Sequence, residues 1–203
     1  MTSTSGDAEG LALTAFQVRV AQLFFSLPAA QDFLLAGGAA LVAQHLTTRP
    51  TQDLDFFTRV GATNVPAARD ALQAAAHEQG WAIERIRDEA TFCRLIIHGA
   101  DDLPVDLALD SPPQQLATAS LIGPTFAPEE LAGRKVVALF ERAEARDFAD
   151  VMELSGHLPK VTSCNRPPWS IPASTSGYSR RCSAASPGSA TRTCPPPRRA
   201  SQH

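Results

Sequence analysis

The segment FLLAGGAALVAQHLTTRPTQDLDFF, from Phe33 to Phe57, constrains this chain more than any other. The apolar run Phe33 to Ala36 predicts a short buried strand, and Gly37-Gly38 predicts a tight turn. Ala39 to Leu46 reads as a helical stretch and Asp53 to Thr58 as a second strand. Side chains alternate along a strand, so Asp53 and Asp55 are expected on one face, with Leu54 and Phe56 on the other. Two carboxylates side by side repel each other. A hard divalent cation relieves that repulsion, and Mg²⁺ is the usual one when phosphates share its coordination sphere. The paired glycines let backbone approach a phosphate closely.

The rest of the chain predicts helices packed on a small mixed sheet, an α+β fold. Leu11 to Leu27 has apolar residues at helical spacing. Val65 to Gln79 is helical, with Pro66 suited to a first turn and Gly80 to a stop. Trp81 to Asp88 and Thr91 to His98 read as strands joined by a polar turn over Arg87 to Ala90. Leu103 to Leu109 is a further strand, preceded by a turn at Gly99 to Asp102 and ended by Ser111-Pro112-Pro113. Thr118 to Phe126 predicts a short edge segment. Pro128 to Arg142 and Arg146 to Ser155 are helices, the second stopped by Gly156.

Composition divides the 203 residues unevenly. The net charge of −3 conceals residues 1–160 with 12 Lys and Arg against all 21 Asp and Glu, a balance of −9. Residues 161–203 hold six arginines, no acid, seven prolines and three of the four cysteines. That tail cannot bury a core, so disorder is expected over 159–203, as over the polar residues 1–9, leaving 10–158 as the domain. A sudden loss of every acid is what an out-of-frame stretch of a GC-rich gene encodes, with the join near Pro159 to Thr162. A basic nucleic-acid arm is the alternative. Cys164, Cys182 and Cys194 lack zinc-ligand spacing, and Cys93 reads as an inert core residue. No membrane span and no secretory signal are expected, so the expected location is the cytoplasm. The five histidines have no ligand spacing, and no Walker, HExxH or GxSxG motif occurs.

Four segments then stand in one order: GGAAL…R-x-T-x-DLDFF, VDLALD at Val105 to Asp110, the lysine of GRKVVALFER, and RDFAD at Arg146 to Asp150. Together they resemble the nucleotidyltransferase superfamily and, within it, the AbiEii-type toxins of bacterial toxin–antitoxin systems, over roughly residues 10 to 158. The resemblance implies a metal-dependent transfer of a nucleotide from a nucleoside triphosphate to an acceptor, which in some relatives is tRNA. It implies Mg²⁺ on Asp53 and Asp55, with Asp106 as the third carboxylate and Asp110 a weaker candidate suited to a turn. Gly37 and Gly38 would accommodate the triphosphate and Lys135 would hold its phosphates. Only the resemblance raises Lys135 above Arg134.

Asp147 matches an acidic position used alongside that lysine, and a helix-start carboxylate is the other reading of it. Arg146 and Asp150 are spaced as an i,i+4 pair. Arg49 reads as a phosphate contact or a solvated loop arginine. A cognate antitoxin is the implied partner. Two departures are visible: Ala39 where relatives carry a hydroxyl, and Thr51 where serine is usual. Relatives also continue with helices that help form the acceptor cleft. Two other functions fit the same residues. One is an aminoglycoside-type nucleotidyltransferase, since an acidic body suits a cationic substrate. The other is an inactive remnant lacking its C-terminal lobe.

Overall fold

Helix and strand boundaries follow the punctuation of the chain. The computed structural model describes residues 12–62 and 64–157. The expectations for both termini, including the tail cysteines and the out-of-frame reading, lie outside the described residues.

Helix α1 (Ala15–Ser26) opens with a capping box in which Thr14 and Gln17 satisfy each other's backbone N–H groups. A 3-10 turn at Pro28–Ala30 leads into β1 (Leu34–Ala36). The glycine pair is not a separate turn, as expected, but the first turn of α2 (Gly37–Ala43). Strand β2 (Leu54–Arg59) follows, so Asp53 stands one residue before the strand rather than within it. Helix α3 (Val65–Glu78) is capped by Asn64, and Gly80 ends the passage at a φ of +77°.

Strands β3 (Ala82–Asp88), β4 (Phe92–His98) and β5 (Asp102–Asp110) form an antiparallel meander. The single edge segment expected over Thr118 to Phe126 is a hairpin of β6 (Thr118–Ser120) and β7 (Gly123–Thr125), because Gly123 takes a φ of +138° and reverses the chain. Helices α4 (Pro128–Glu141) and α5 (Ala145–His157) close the described chain. Gly156 does not stop α5, which passes through it to His157.

One mixed sheet of seven strands results, in the order β3-β4-β5-β2-β1-β7-β6. Its alternation separates two faces. Leu54 and Phe56 of β2, Leu95 and Ile97 of β4, and Val105 and Leu107 of β5 are fully buried. They pack under α1 and α3, with Phe24 of α1 stacked 4.2 Å from Phe56 between ring centroids. Cys93 lies in this core, as the sequence implied, and burial raises its thiol pKa. The intervening residues Asp55, Arg94 and Asp106 project from the opposite face. The α+β expectation is met, and that second face carries Asp55 and Asp106, two of the carboxylates singled out by the sequence.

Among the described residues, no helix is long and apolar enough to cross a membrane.

Candidate active site

Register brings the second and third carboxylates together. β2 and β5 run parallel, and Asp55 pairs directly with Asp106. Residues paired across adjacent strands point to the same side. Asp53, just ahead of β2, accepts a hydrogen bond on Oδ1 from Thr51 Oγ1 at 2.8 Å, and its Oδ2 lies 3.7 Å from Arg146 Nη1.

The glycine pair forms the floor beneath these acids. Gly37 has a φ of +63°, and a Cβ there would fall 1.8 Å from Asp55 Oδ2. Any other residue would collide with the carboxylate as well as strain the backbone. At Gly38 a Cβ would lie 2.6 Å from Thr51 Oγ1. Thr51, a departure from the usual serine, therefore serves as a brace between the second glycine and Asp53.

The Asp55 carboxyl is raised from its ordinary value of 3.8 to about 7. Burial is the main cause, and the like charges of Asp53 and Asp106 add to it, while the charges of Lys135 and Arg146 act in the opposite direction. Among the described residues no hydrogen bond or close ion pair reaches the Asp55 carboxylate. Asp106 differs. Arg94, opposite it on β4, donates from Nε to Oδ1 at 2.8 Å and from Nη2 to Oδ2 at 2.5 Å. The arginine side chain is 54% exposed, so this fork is a removable one.

On the far side of the acids stand α4 and α5, joined by a sharp reversal with Ala143 at a φ of +51°. The reversal folds Arg142 back onto Asp147, donating from Nε and Nη2 at 2.8 and 3.0 Å. This bidentate contact holds the Asp147 carboxyl below the usual carboxylate range. Lys135 is 8% exposed, with Nζ 2.7 Å from Asp150 Oδ2 and 3.8 Å from Asp147 Oδ1. Asp150, itself fully buried, also accepts from Arg49 Nε and Nη2, each at 3.0 Å.

Several local readings change in consequence. Arg146 and Asp150 do not form an i,i+4 pair: Arg146 reaches Glu144 and Asp53, and Asp150 turns inward to Arg49 and Lys135. Arg49 is not a solvated loop arginine. Asp110 takes the turn role, accepting from the Ser111 backbone N–H and pairing with Arg134. Arg134 also contacts Glu130 and lies 3.9 Å over the Phe126 ring. Neighbours Arg134 and Lys135 thus diverge, and only the lysine joins the acidic cluster. The sequence reading did not single out Arg94, and it placed Asp150 only in the RDFAD segment as half of an i,i+4 pair. The turn at Gly99 to Asp102 was the usable signal for Arg94, because an antiparallel return about it sets Arg94 opposite Asp106.

The available ligand atoms near Asp55 are carboxylate oxygens, the donor type of Mg²⁺ and similar hard cations. Among the described residues no three His, Cys, Asp or Glu side chains converge as a ready-made metal cage. Asp53 and Asp55 are the pair that could hold such an ion together with phosphate oxygens, and its charge would offset Asp55, which lacks a close cation among the described residues.

Comparison with known proteins places the chain in a family and a fold. The family described as nucleotidyl transferase AbiEii toxin, Type IV TA system, matches residues 22–163. Among solved structures, JHP933 from Helicobacter pylori superposes with a TM-score of 0.52 at 19% identity, covering 68% of this chain and 63% of that one. A candidate nucleotidyltransferase from H. pylori gives a TM-score of 0.52 at 18% identity, covering 68% and 65%. These likenesses concern the fold, and the chain spans less than two thirds of either structure. No curated protein matches. With the family matched across most of the described domain and the same fold in both structures, the chain belongs to the AbiEii nucleotidyltransferase family.

Proposed function

We propose that this chain is a toxin-type nucleotidyltransferase that uses Mg²⁺ to transfer a nucleotide from a nucleoside triphosphate to an acceptor. The observation that carries the reading is the seat of Asp55: beside Asp106 by register, directly over Gly37, and without a close cation. A carboxylate held at this cost to itself is a mark of a functional site. Asp53 and Asp55 would hold the ion, with Asp106 as the adjoining third acid once Arg94 releases it. When bound, the ion supplies charge neutralisation for the phosphates.

The chain's own residues supply the rest. The missing Cβ atoms of Gly37 and Gly38 let the Asp55 and Thr51 side chains close onto the start of α2, and in this reading the glycine backbone is what accommodates phosphate beside them. Lys135 would hold the phosphates as a point charge, and stabilising negative charge on a departing pyrophosphate is its role in this reading. Asp147, fastened by Arg142, fixes one side of the lysine pocket. The family reading extends to a tRNA acceptor, a cognate antitoxin and the cytoplasm as the place where these meet.

Calorimetric titration with Mg·NTP tests the site. Wild-type protein is expected to bind, and the double variant Asp53→Asn, Asp55→Asn to lose binding while keeping its circular dichroism spectrum. Retained affinity in that variant would overturn the assignment. Incubation with labelled NTPs and total tRNA tests the acceptor: label on tRNA supports the reading, and label on another RNA or on protein replaces it.

A further inference from the structure

The geometry points to Asp150 as a positioning residue that sets Lys135 and the loop carrying Asp53 in place for triphosphate binding. This rests on the nucleotidyltransferase reading above and adds to it a residue with no assigned role. Asp150 is fully buried, so it does not touch a nucleotide itself. It acts through two cations that the fold delivers from distant parts of the chain. Arg49 comes from the loop before β2 and binds both carboxylate oxygens. Lys135 comes from α4 and binds Oδ2 at 2.7 Å.

The Arg49 end of the link leads back to the metal-side acids. Arg49 Nη1 donates to the Pro50 carbonyl at 3.1 Å, the next residue Thr51 rests against Gly38, and Thr51 hydrogen-bonds Asp53. One carboxylate on α5 therefore connects the loop that aims Asp53 to the lysine assigned to the phosphates. A bidentate arginine fork resists rotation more than a single contact does, so the loop is held in one geometry.

Charge count explains why such a link would favour an anion. Among the described residues, Arg49, Lys135 and Arg142 form ion pairs with two buried carboxylates, Asp147 and Asp150, while Asp55, which also feels the charge of Lys135, is the acid that a bound ion would offset. Asp147 is committed to Arg142, leaving Asp150 to be shared by Arg49 and Lys135. The shared acid keeps two like charges together without cancelling both. The surplus positive charge is available to phosphate, and a triphosphate uses it more than a monophosphate does.

The test is calorimetry on the full chain with Mg·NTP and with the matching NMP, for each of the four bases. Asp150→Asn, Lys135→Ala, their double variant and Arg49→Gln are compared with wild type, with thermal melts confirming folding. Asp150→Asn is expected to weaken NTP binding about tenfold and NMP binding less than about twofold, and to cost little further once Lys135 is gone. Wild-type NTP affinity in folded Asp150→Asn, equal losses for NTP and NMP, or losses that add in the double variant would overturn the role. Should Asp150→Asn not fold, Arg49→Gln decides. Its side chain is 29% exposed and its removal leaves the Lys135–Asp150 pair intact. Weakened NTP binding with NMP binding retained supports the link, and unchanged NTP binding rejects it. Failure of wild type to bind any nucleotide would remove the nucleotidyltransferase reading, and this role with it.

Discussion

Replacing Asp55 by asparagine is expected to stabilise the metal-free protein above neutral pH. In the folded chain the Asp55 carboxyl is raised from 3.8 to about 7, by burial first and then by Asp53 and Asp106. In the unfolded chain it titrates near its ordinary value. Between about pH 4 and about pH 7 the folded state holds a proton that the unfolded state has released, so stability falls as pH rises across that window. Each pKa unit corresponds to about 1.4 kcal/mol, which sets the full loss at about 4 kcal/mol above pH 7.

Asparagine is nearly the same size and carries no charge, so Asp55→Asn escapes that loss. At pH 8 the variant is expected to be more stable than wild type by about 2–4 kcal/mol, which for a domain of this size is about 5–15 °C in midpoint. At pH 4.5 the gap is expected to shrink to about 1 kcal/mol. The assay is urea denaturation across pH 4.5 to 8.5 with chelator present. Parallel curves would refute the account, since they would mean Asp55 ionises in the folded state as easily as in the unfolded one. Adding Mg²⁺ at pH 8 is expected to raise wild-type stability and leave the variant unchanged, because a bound ion acts on the same charge.

Other perturbations probe the neighbouring parts. Gly37→Ala is expected to cost about 2 kcal/mol or more in urea unfolding, from left-handed backbone strain and collision with Asp55, and to abolish Mg·NTP binding; a wild-type midpoint would refute the seating. Lys135→Ala is expected to weaken NTP binding more than NMP binding in calorimetry, and equal losses would make it a structural lysine. Arg94→Ala, which removes a half-exposed fork, is expected to change stability by less than about 1 kcal/mol. The same variant is expected to tighten Mg²⁺ binding, because a competitor for Asp106 is gone, and unchanged metal affinity would exclude Asp106 from the ion's surroundings.

What the sequence conveyed about this site depended on range. Asp53, Asp55 and the glycine pair lie within one short stretch, so strand alternation and glycine freedom are enough to find them. Asp106 needed the sheet register, which period-2 patterning does not supply across a crossover. Its place as a third carboxylate was reached only through resemblance to a family, and its parallel pairing with Asp55 came from the structure. Arg94 lay within reach of local reasoning, since the turn at Gly99 to Asp102 fixes the β4–β5 register, and Arg94 falls opposite Asp106.

Asp150 marks the point where local rules mislead. Four residues apart on α5, Arg146 and Asp150 satisfy the helical rule for an ion pair, worth a few tenths of a kcal/mol at a surface. Yet α5 packs on α4 and buries Asp150 completely. A buried carboxylate must be met by cations with fixed geometry, and the surface pairing gives way to that demand. Arg49, a hundred and one residues away, satisfies it. No pattern in either segment announces the other. Their meeting is a product of the tertiary fold, so a carboxylate that joins two cations from distant parts of the chain is the one that sequence spacing assigned to a minor surface pair.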